Sequence, residues 1–461
     1  MIEELIRKAA KTAPDKTAYI TTDGEITYKE LIGRAEKYAD LLIRQGSGPV
    51  LIYGGKEINV LISILACIFA RRTYVIADGN VPAARVRRMI ALSEASLVLS
   101  AGKAEIPGVS AVRPDELAKF EDEDIKPNFN RTAYVAFTSG TTGEPKGVGI
   151  TYENLDNFIE WMLSLEPIRD QKNAVVFNQA GFSFDLSVAD IYYSLCTAGT
   201  LVAYNGGFET GMFGTAELMR RHGVTFAVMT PTFLRLCLCE DGFNRGNCPE
   251  LKCIYLCGEA LRKSTALKLF SAFPDISLIN AYGPTEATSA VCAALISREM
   301  AEADDIPVGT VGKCACGVDT EDGKIIITGK SVGEGYLNGV KFGGRYDTGD
   351  LGHIAGGHIY FDGRADRQIK YKGYRIELDG IEACICDIAR VKFCTVGAAY
   401  TRDGTVKSVY AYVCGDGDDL AGHVREKLRE KLPGYMIPKT IKATGVLPVN
   451  KNGKLDGRTV K

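Results

Sequence analysis

Tyr134-Val135-Ala136-Phe137-Thr138-Ser139-Gly140-Thr141-Thr142-Gly143-Glu144-Pro145-Lys146-Gly147-Val148-Gly149-Ile150 decides how the rest of the chain is read. An apolar run enters a stretch of small and hydroxyl-bearing residues from Thr138 to Gly143, passes Lys146 and leaves through a second apolar run. Small residues let successive backbone N–H groups turn toward a phosphate, and the hydroxyls add donors. Lys146 adds positive charge. No Gly-Lys-Ser/Thr opens a helix here, so the loop joins two strands and is not the Walker type. The plain alternative is a polar hairpin loop, but the full string is more specific than that.

On the N-terminal side, helical and strand patterns alternate. Thr27 followed by Glu30 forms a capping box, and the helix it opens buries Leu31, Ala35, Tyr38 and Leu42 before stopping at Gly46. Apolar strands are expected at 50–53, 74–77 and 97–99, and again at 225–229, 254–257 and 278–281, each next to a helical run. That alternation predicts α/β architecture with parallel strands. From Gly363 the pattern changes. Two β-rich runs, 391–400 and 405–414, flank Asp403-Gly404, a hairpin signal. Helices are expected near 378–388 and 420–432. The boundary is placed at Gly363-Arg364-Ala365-Asp366, giving a large domain over 1–363 and a small α+β domain over 364–461.

The chain has 461 residues, 46% apolar and 24% charged, a balance that fits a soluble globular protein of more than one domain. Its 55 Lys and Arg against 57 Asp and Glu leave no basic footprint, which argues against nucleic-acid binding. No apolar run reaches the roughly 20 residues of a membrane span. The first residues, Met1-Ile2-Glu3-Glu4-Leu5, lack the basic-then-apolar order of a signal peptide, so a cytoplasmic location is expected. The 14 cysteines show no disulfide framework. Cys237, Cys239, Cys248, Cys253 and Cys257 lack the paired spacing of a zinc site, and they are read as free, mostly buried thiols.

With the other motifs in place, the chain resembles the adenylate-forming superfamily: acyl-CoA synthetases, luciferases and the adenylation domains of nonribosomal peptide synthetases. The likeness begins at the 134–147 string. It continues through Asn280-Ala281-Tyr282-Gly283-Pro284-Thr285-Glu286-Ala287-Thr288, Tyr346-Asp347-Thr348-Gly349-Asp350, Gly363-Arg364-Ala365-Asp366-Arg367-Gln368-Ile369-Lys370 and Asn452-Gly453-Lys454-Leu455-Asp456. It implies a large α/β domain of several lobes around mixed and parallel sheets, hinged to the small domain. It also implies ATP and Mg2+ as cofactors.

By that resemblance, Thr138, Ser139, Gly140, Thr141, Thr142, Gly143 and Lys146 hold the departing phosphates. Asn280, Ala281, Tyr282 and Gly283 form the adenine site, and Thr285 contacts the α-phosphate. Glu286 holds Mg2+, Asp350 accepts both ribose hydroxyls, and Arg364 is a further ATP-binding residue. Lys454 is the catalytic lysine, Asp366 the hinge and Gly373 a wall of the thiol channel. Asp347 departs from the family, which usually places arginine before Thr-Gly-Asp.

Asp185, inside the apolar run Phe184-Asp185-Leu186-Ser187, is costly there without a partner. In amino-acid-activating members this aspartate pairs with the substrate ammonium; otherwise it is a local cap. Asp185, Leu186, Ala189, Cys257 and Ala281 are expected to wall a pocket for a small side chain. The surrounding sequence resembles the branch that loads D-alanine onto the phosphopantetheine thiol of a carrier protein for teichoic acid modification. An adenylation enzyme for L-alanine, glycine, serine or another small amino acid in a peptide pathway is the alternative.

Overall fold

In a computed structural model of the chain, the Thr27 capping box opens the expected helix, Tyr28–Arg44. Thr27 Oγ1 accepts from Glu30 N at 3.3 Å and Thr27 N donates to Glu30 Oε2 at 3.0 Å. Leu31, Ala35, Tyr38 and Leu42 are all buried on one face. The structure describes residues 1–102, 105–119, 130–140, 143–169, 171, 173–206, 214–303, 305–401 and 404–444.

Most of the chain builds an α/β body around two sheets. In the larger, the order is Cys292–Ile296, Ser277–Tyr282, Cys253–Leu256, Phe226–Met229, Val175–Asn178, Thr200–Ala203, Thr17–Thr21, Gly24–Thr27. Its inner neighbours run parallel, and the two outermost pairings are antiparallel. The second sheet runs Gly335–Tyr336, Lys146–Thr151, Thr132–Thr138, Tyr74–Ala77, Val50–Tyr53, Leu97–Ser100. Strands such as Val50–Tyr53 and Phe226–Met229 are buried at every position, as expected of parallel strands covered on both faces.

A five-stranded antiparallel sheet follows, from Gly309–Thr310 to His358–Arg364, and sequence periodicity had not revealed it. Its strands run from the two residues of Gly309–Thr310 to the eleven of Arg345–Ala355 and are punctuated by left-handed glycines such as Gly323, Gly356 and Gly357.

Contacts divide the chain into two compact units. The first comprises Met1–Gly79, Ile90–Ala136 and Gly147–Ala365, and the second comprises Asn80–Met89, Phe137–Lys146 and the chain from Asp366 onward. The phosphate loop thus lies in the second unit. There the strands Val391–Tyr400 and Val406–Gly415 pair antiparallel, and Thr440–Ala443 joins in parallel. Helices Leu378–Cys386 and Leu420–Lys431 pack into the same core. Asp403 of the expected turn lies outside the described residues.

None of the fourteen cysteines forms a disulfide, and only Cys239 and Cys386 are exposed. Cys386 Sγ lies 3.4 Å from Cys394 Sγ. Among the described residues, no group of three or more His, Cys, Asp or Glu is placed to hold a metal, and no helix is long and apolar enough to cross a membrane.

Candidate active site

Strand Ser277–Tyr282 carries Asn280, Ala281 and Tyr282 to the edge of the first unit's site. The chain then turns at Gly283, where a Cβ would stand 2.5 Å from Ala290 Cα, so only glycine permits this approach. Asn280 Nδ2 donates to Pro307 O at 2.8 Å, while its buried Oδ1 has no partner. Tyr282 donates its hydroxyl to Asp350 Oδ2 at 2.6 Å. Arg364 Nη1 donates to the other oxygen, Asp350 Oδ1, in an ion pair. Asp350 N donates to Thr348 Oγ1 at 3.0 Å, which fixes the backbone of the turn. Burial, reinforced by the Asp350 charge, pushes the Tyr282 phenol well above its usual pKa, so it stays protonated.

Thr285 and Glu286 lie in the short turn Thr285–Ala287. Glu286 is fully buried, and its Oε1 accepts from Tyr336 Oη at 2.7 Å. Tyr336 Oη is also 3.3 Å from Tyr346 Oη. Sequence reading missed Tyr336, which sits outside every motif. A carboxylate oxygen suits Mg2+, which is commonly bound by one or two carboxylates together with substrate phosphates. Glu286 fits a single-carboxylate site of that kind. Asp347 occupies the turn: its Oδ1 accepts from Gly349 N at 2.9 Å, and Lys324 Nζ is 3.4 Å from its Oδ2.

In the second unit, Thr138 Oγ1 donates to Lys146 O at 3.4 Å, and Gly143 N donates to Gly140 O at 3.1 Å. Ser139 Oγ donates to Arg375 O at 2.8 Å and accepts from Glu377 N at 3.2 Å. Gly143 has φ +81°, and a Cβ there would collide with Cys384 Sγ and lie 2.9 Å from Gly380 O. The expected loop residues Thr141 and Thr142, and Lys454, lie outside the described residues. Asp366 Oδ1 accepts from Gln368 N at 3.1 Å. Gly373, with φ +84° after Lys372 at φ +54°, makes the tight turn between Gln368–Tyr371 and Tyr374–Glu377. Two successive left-handed residues are the signature of a type I′ hairpin turn.

Back in the first unit, Asp185 precedes helix Leu186–Cys196 and makes no side-chain cap, so the local-cap reading does not account for it. It lines a pocket with Tyr74, Tyr134, Phe184, Val188 and Tyr192. Tyr74 and Tyr192 share a hydrogen bond at 3.0 Å. The Tyr134 hydroxyl is buried without a partner, as is that of Tyr255, and burial, with a small addition from the Asp185 charge, holds both phenols protonated. Leu186, Ala189, Cys257 and Ala281 join the same buried cluster but do not line this pocket. Cys257 Sγ is 3.9 Å from Ser289 O. The two tyrosines escaped the sequence reading because each falls at a strand position that reads as ordinary core.

The AMP-binding enzyme family profile matches residues 6–337. A D-alanine--D-alanyl carrier protein ligase of Bacillus cytotoxicus is 33% identical over 98% of this chain and 97% of its own length. The Bacillus cereus (strain G9842) protein of the same name is 34% identical over the same shares. Among solved structures, an NRPS protein containing adenylation and PCP domains superposes with TM-score 0.83 at 23% identity, over 99% of this chain and 83% of that one. The Vibrio cholerae adenylation domain AlmE, in complex with glycyl-adenosine-5′-phosphate, gives 0.82 at 20% identity, over 98% and 96%. At those identities the structural likeness establishes the fold: a large α/β domain with a small C-terminal domain.

Proposed function

The chain belongs to the AMP-binding enzyme family, and from that premise we propose that it activates a small amino acid, D-alanine before others, for transfer to a carrier protein. In the first step a substrate carboxylate oxygen attacks the α-phosphorus of ATP and pyrophosphate leaves, giving the aminoacyl-adenylate. In the second, a phosphopantetheine thiol attacks the acyl carbon and AMP leaves.

The observation that carries this reading is the placement of Asp185. Asp185 stands at the wall of a largely aromatic and aliphatic pocket, a setting in which a carboxylate attracts a cation strongly. The substrate α-ammonium is that cation, and the unpartnered Tyr134 hydroxyl offers a further polar contact beside it. The pocket beside Asp185 is walled by Tyr74, Tyr134, Phe184, Val188 and Tyr192, bulky side chains that favour a small substrate side chain. The names of the Bacillus relatives support D-alanine and a carrier protein as the partners.

On the nucleotide side, Asn280 Oδ1 is available to accept from the adenine amino group. Asp350, with one lone pair on each oxygen already used, accepts from the ribose hydroxyls. Tyr282 serves the adenine, Thr285 the α-phosphate, and Thr138 to Lys146 the departing phosphates. Glu286 would hold Mg2+, which neutralises phosphate charge when bound. Lys454 stabilises the charge developing at the α-phosphate, Asp366 is the hinge, and Gly373 borders the path of the thiol.

Amino-acid-dependent ATP–pyrophosphate exchange with D-alanine, L-alanine, glycine and both serines tests the reading. Strongest exchange with D-alanine is expected. An L-amino-acid preference would retain the adenylation chemistry and move the protein to peptide synthesis. Exchange with none of them would overturn amino-acid activation.

A further inference from the structure

Lys56 lies between strand Val50–Tyr53 and helix Ile58–Phe69, in Gly54-Gly55-Lys56-Glu57, where a lysine reads as a solvated loop charge. The structure puts it elsewhere. Its Nζ donates to three carbonyl oxygens: Asn178 at 3.0 Å, Gln179 at 2.9 Å and Tyr204 at 2.9 Å. An ammonium has three protons, so all of its donors are used. Asn178 ends strand Val175–Asn178, and Tyr204 follows strand Thr200–Ala203, its parallel neighbour. Lys56 therefore ties two strand ends together where the chain leaves the sheet toward Asp185.

The rest of segment 178–185 is anchored by groups around the same ammonium. Asp78 accepts from Ser183 Oγ in a short hydrogen bond. Asn178 Nδ2 donates to Asp190 Oδ2 at 2.8 Å and to Ala180 O at 3.0 Å. Ser187 Oγ donates to Phe184 O at 2.7 Å. Burial pulls the Lys56 ammonium down and pushes the Asp190 carboxyl up, and the attraction between the two groups offsets part of each shift. Lys56 is half-buried, and ordering its long side chain against three carbonyls costs conformational freedom that a shorter residue would not lose. A role in geometry accounts for it better than a role in stability.

We propose that Lys56 is a positioning residue for amino-acid binding: with Asp78, Ser183 and Asp190 it sets the path of residues 178–185 and so the place of the Asp185 carboxylate. The inference rests on Asp185 being the group that meets the substrate ammonium. Lys56 touches no substrate. Displacing a binding group by about 1 Å is enough to cost on the order of a hundredfold.

The experiment compares Lys56→Met, Ser183→Ala and Asp185→Asn with the unmodified chain in pyrophosphate exchange. It reads KM for the amino acid and KM for ATP separately, with thermal denaturation of each variant alongside. Lys56→Met is expected to raise the amino-acid KM about tenfold or more and to leave the ATP KM within about twofold. Ser183→Ala is expected to show the same split at smaller size, and it carries the test if Lys56→Met does not fold. A parallel rise in both KM values, or an unchanged amino-acid KM in whichever of these two variants is folded, overturns the positioning role. Asp185→Asn separates the two ideas. If it raises the amino-acid KM while the Lys56 and Ser183 variants do not, only the inference fails; if it leaves that KM unchanged, the premise fails and the inference with it.

Discussion

Replacing Asp350 by asparagine is expected to weaken ATP binding through the ribose, and the structure sets the size of the effect. A carboxylate offers about four acceptor sites. Tyr282 Oη takes one on Oδ2 at 2.6 Å, and Arg364 takes one on Oδ1. Two remain, one per oxygen, matching the 2′- and 3′-hydroxyls of a ribose. Asparagine keeps one oxygen and turns the other position into a donor, so one ribose bond is lost and the other becomes neutral. A hydrogen bond to a charged group is worth about 1.5–3 kcal/mol. Losing one predicts a rise in ATP KM of roughly ten- to a hundredfold, at about 1.4 kcal/mol per factor of ten. Arg364 is also left beside a neutral partner in a mostly buried setting, so the melting temperature should fall. The assay is pyrophosphate exchange with ATP, 2′-deoxy-ATP and 3′-deoxy-ATP. The unmodified enzyme should discriminate against both deoxynucleotides, and Asp350→Asn should lose that discrimination for at least one. If the variant keeps both penalties at full size, Asp350 does not bind the ribose and the reasoning fails.

Four further outcomes are expected. Lys454→Ala should abolish adenylate formation, by at least about a hundredfold in rate, while ATP binding measured by calorimetry stays near normal. Asp366→Pro, which fixes φ at the hinge, should spare pyrophosphate exchange and block thioester formation; equal loss of both steps would refute that division. Tyr134→Phe removes a buried hydroxyl that has no partner, so its melting temperature should hold or rise, and a clear fall would show that the hydroxyl is satisfied in the free enzyme. Asp190 carries a pKa raised by burial, so its contribution to stability is full below its unfolded value near 4 and is lost as pH rises above it. Asp190→Asn has no such dependence and should gain on the unmodified chain between pH 5 and pH 7, by at most about 1.4 kcal/mol per pH unit; parallel melting curves at the two pH values would contradict this.

Local signals in the sequence carried far. The Thr27 capping box, strand Tyr74–Ala77 and strand Val391–Tyr400 are governed by neighbours a few residues away, and their positions were legible. The order of the eight-stranded sheet was not, because its pairings join distant segments such as Thr17–Thr21 with Thr200–Ala203. The same limit applied at the site. Asp185 stood out as a charge in an apolar run, and Glu286 and Asp350 stood out within motifs. Lys56 did not, because its carbonyl partners lie 122 to 148 residues away and its own surroundings are polar. Tyr336 reveals nothing until the fold sets it against Glu286.

The cysteines make this chain its own spectroscopic ruler. Of fourteen thiols only Cys239 and Cys386 are exposed, and they fall in different compact units. A mixture of donor and acceptor maleimide dyes at limiting concentration should therefore react first at those two positions, giving donor–acceptor pairs without any engineered site. Energy transfer between them would then report, in real time and on the unaltered protein, whether the units change their separation as ATP, amino acid and thiol are added in turn.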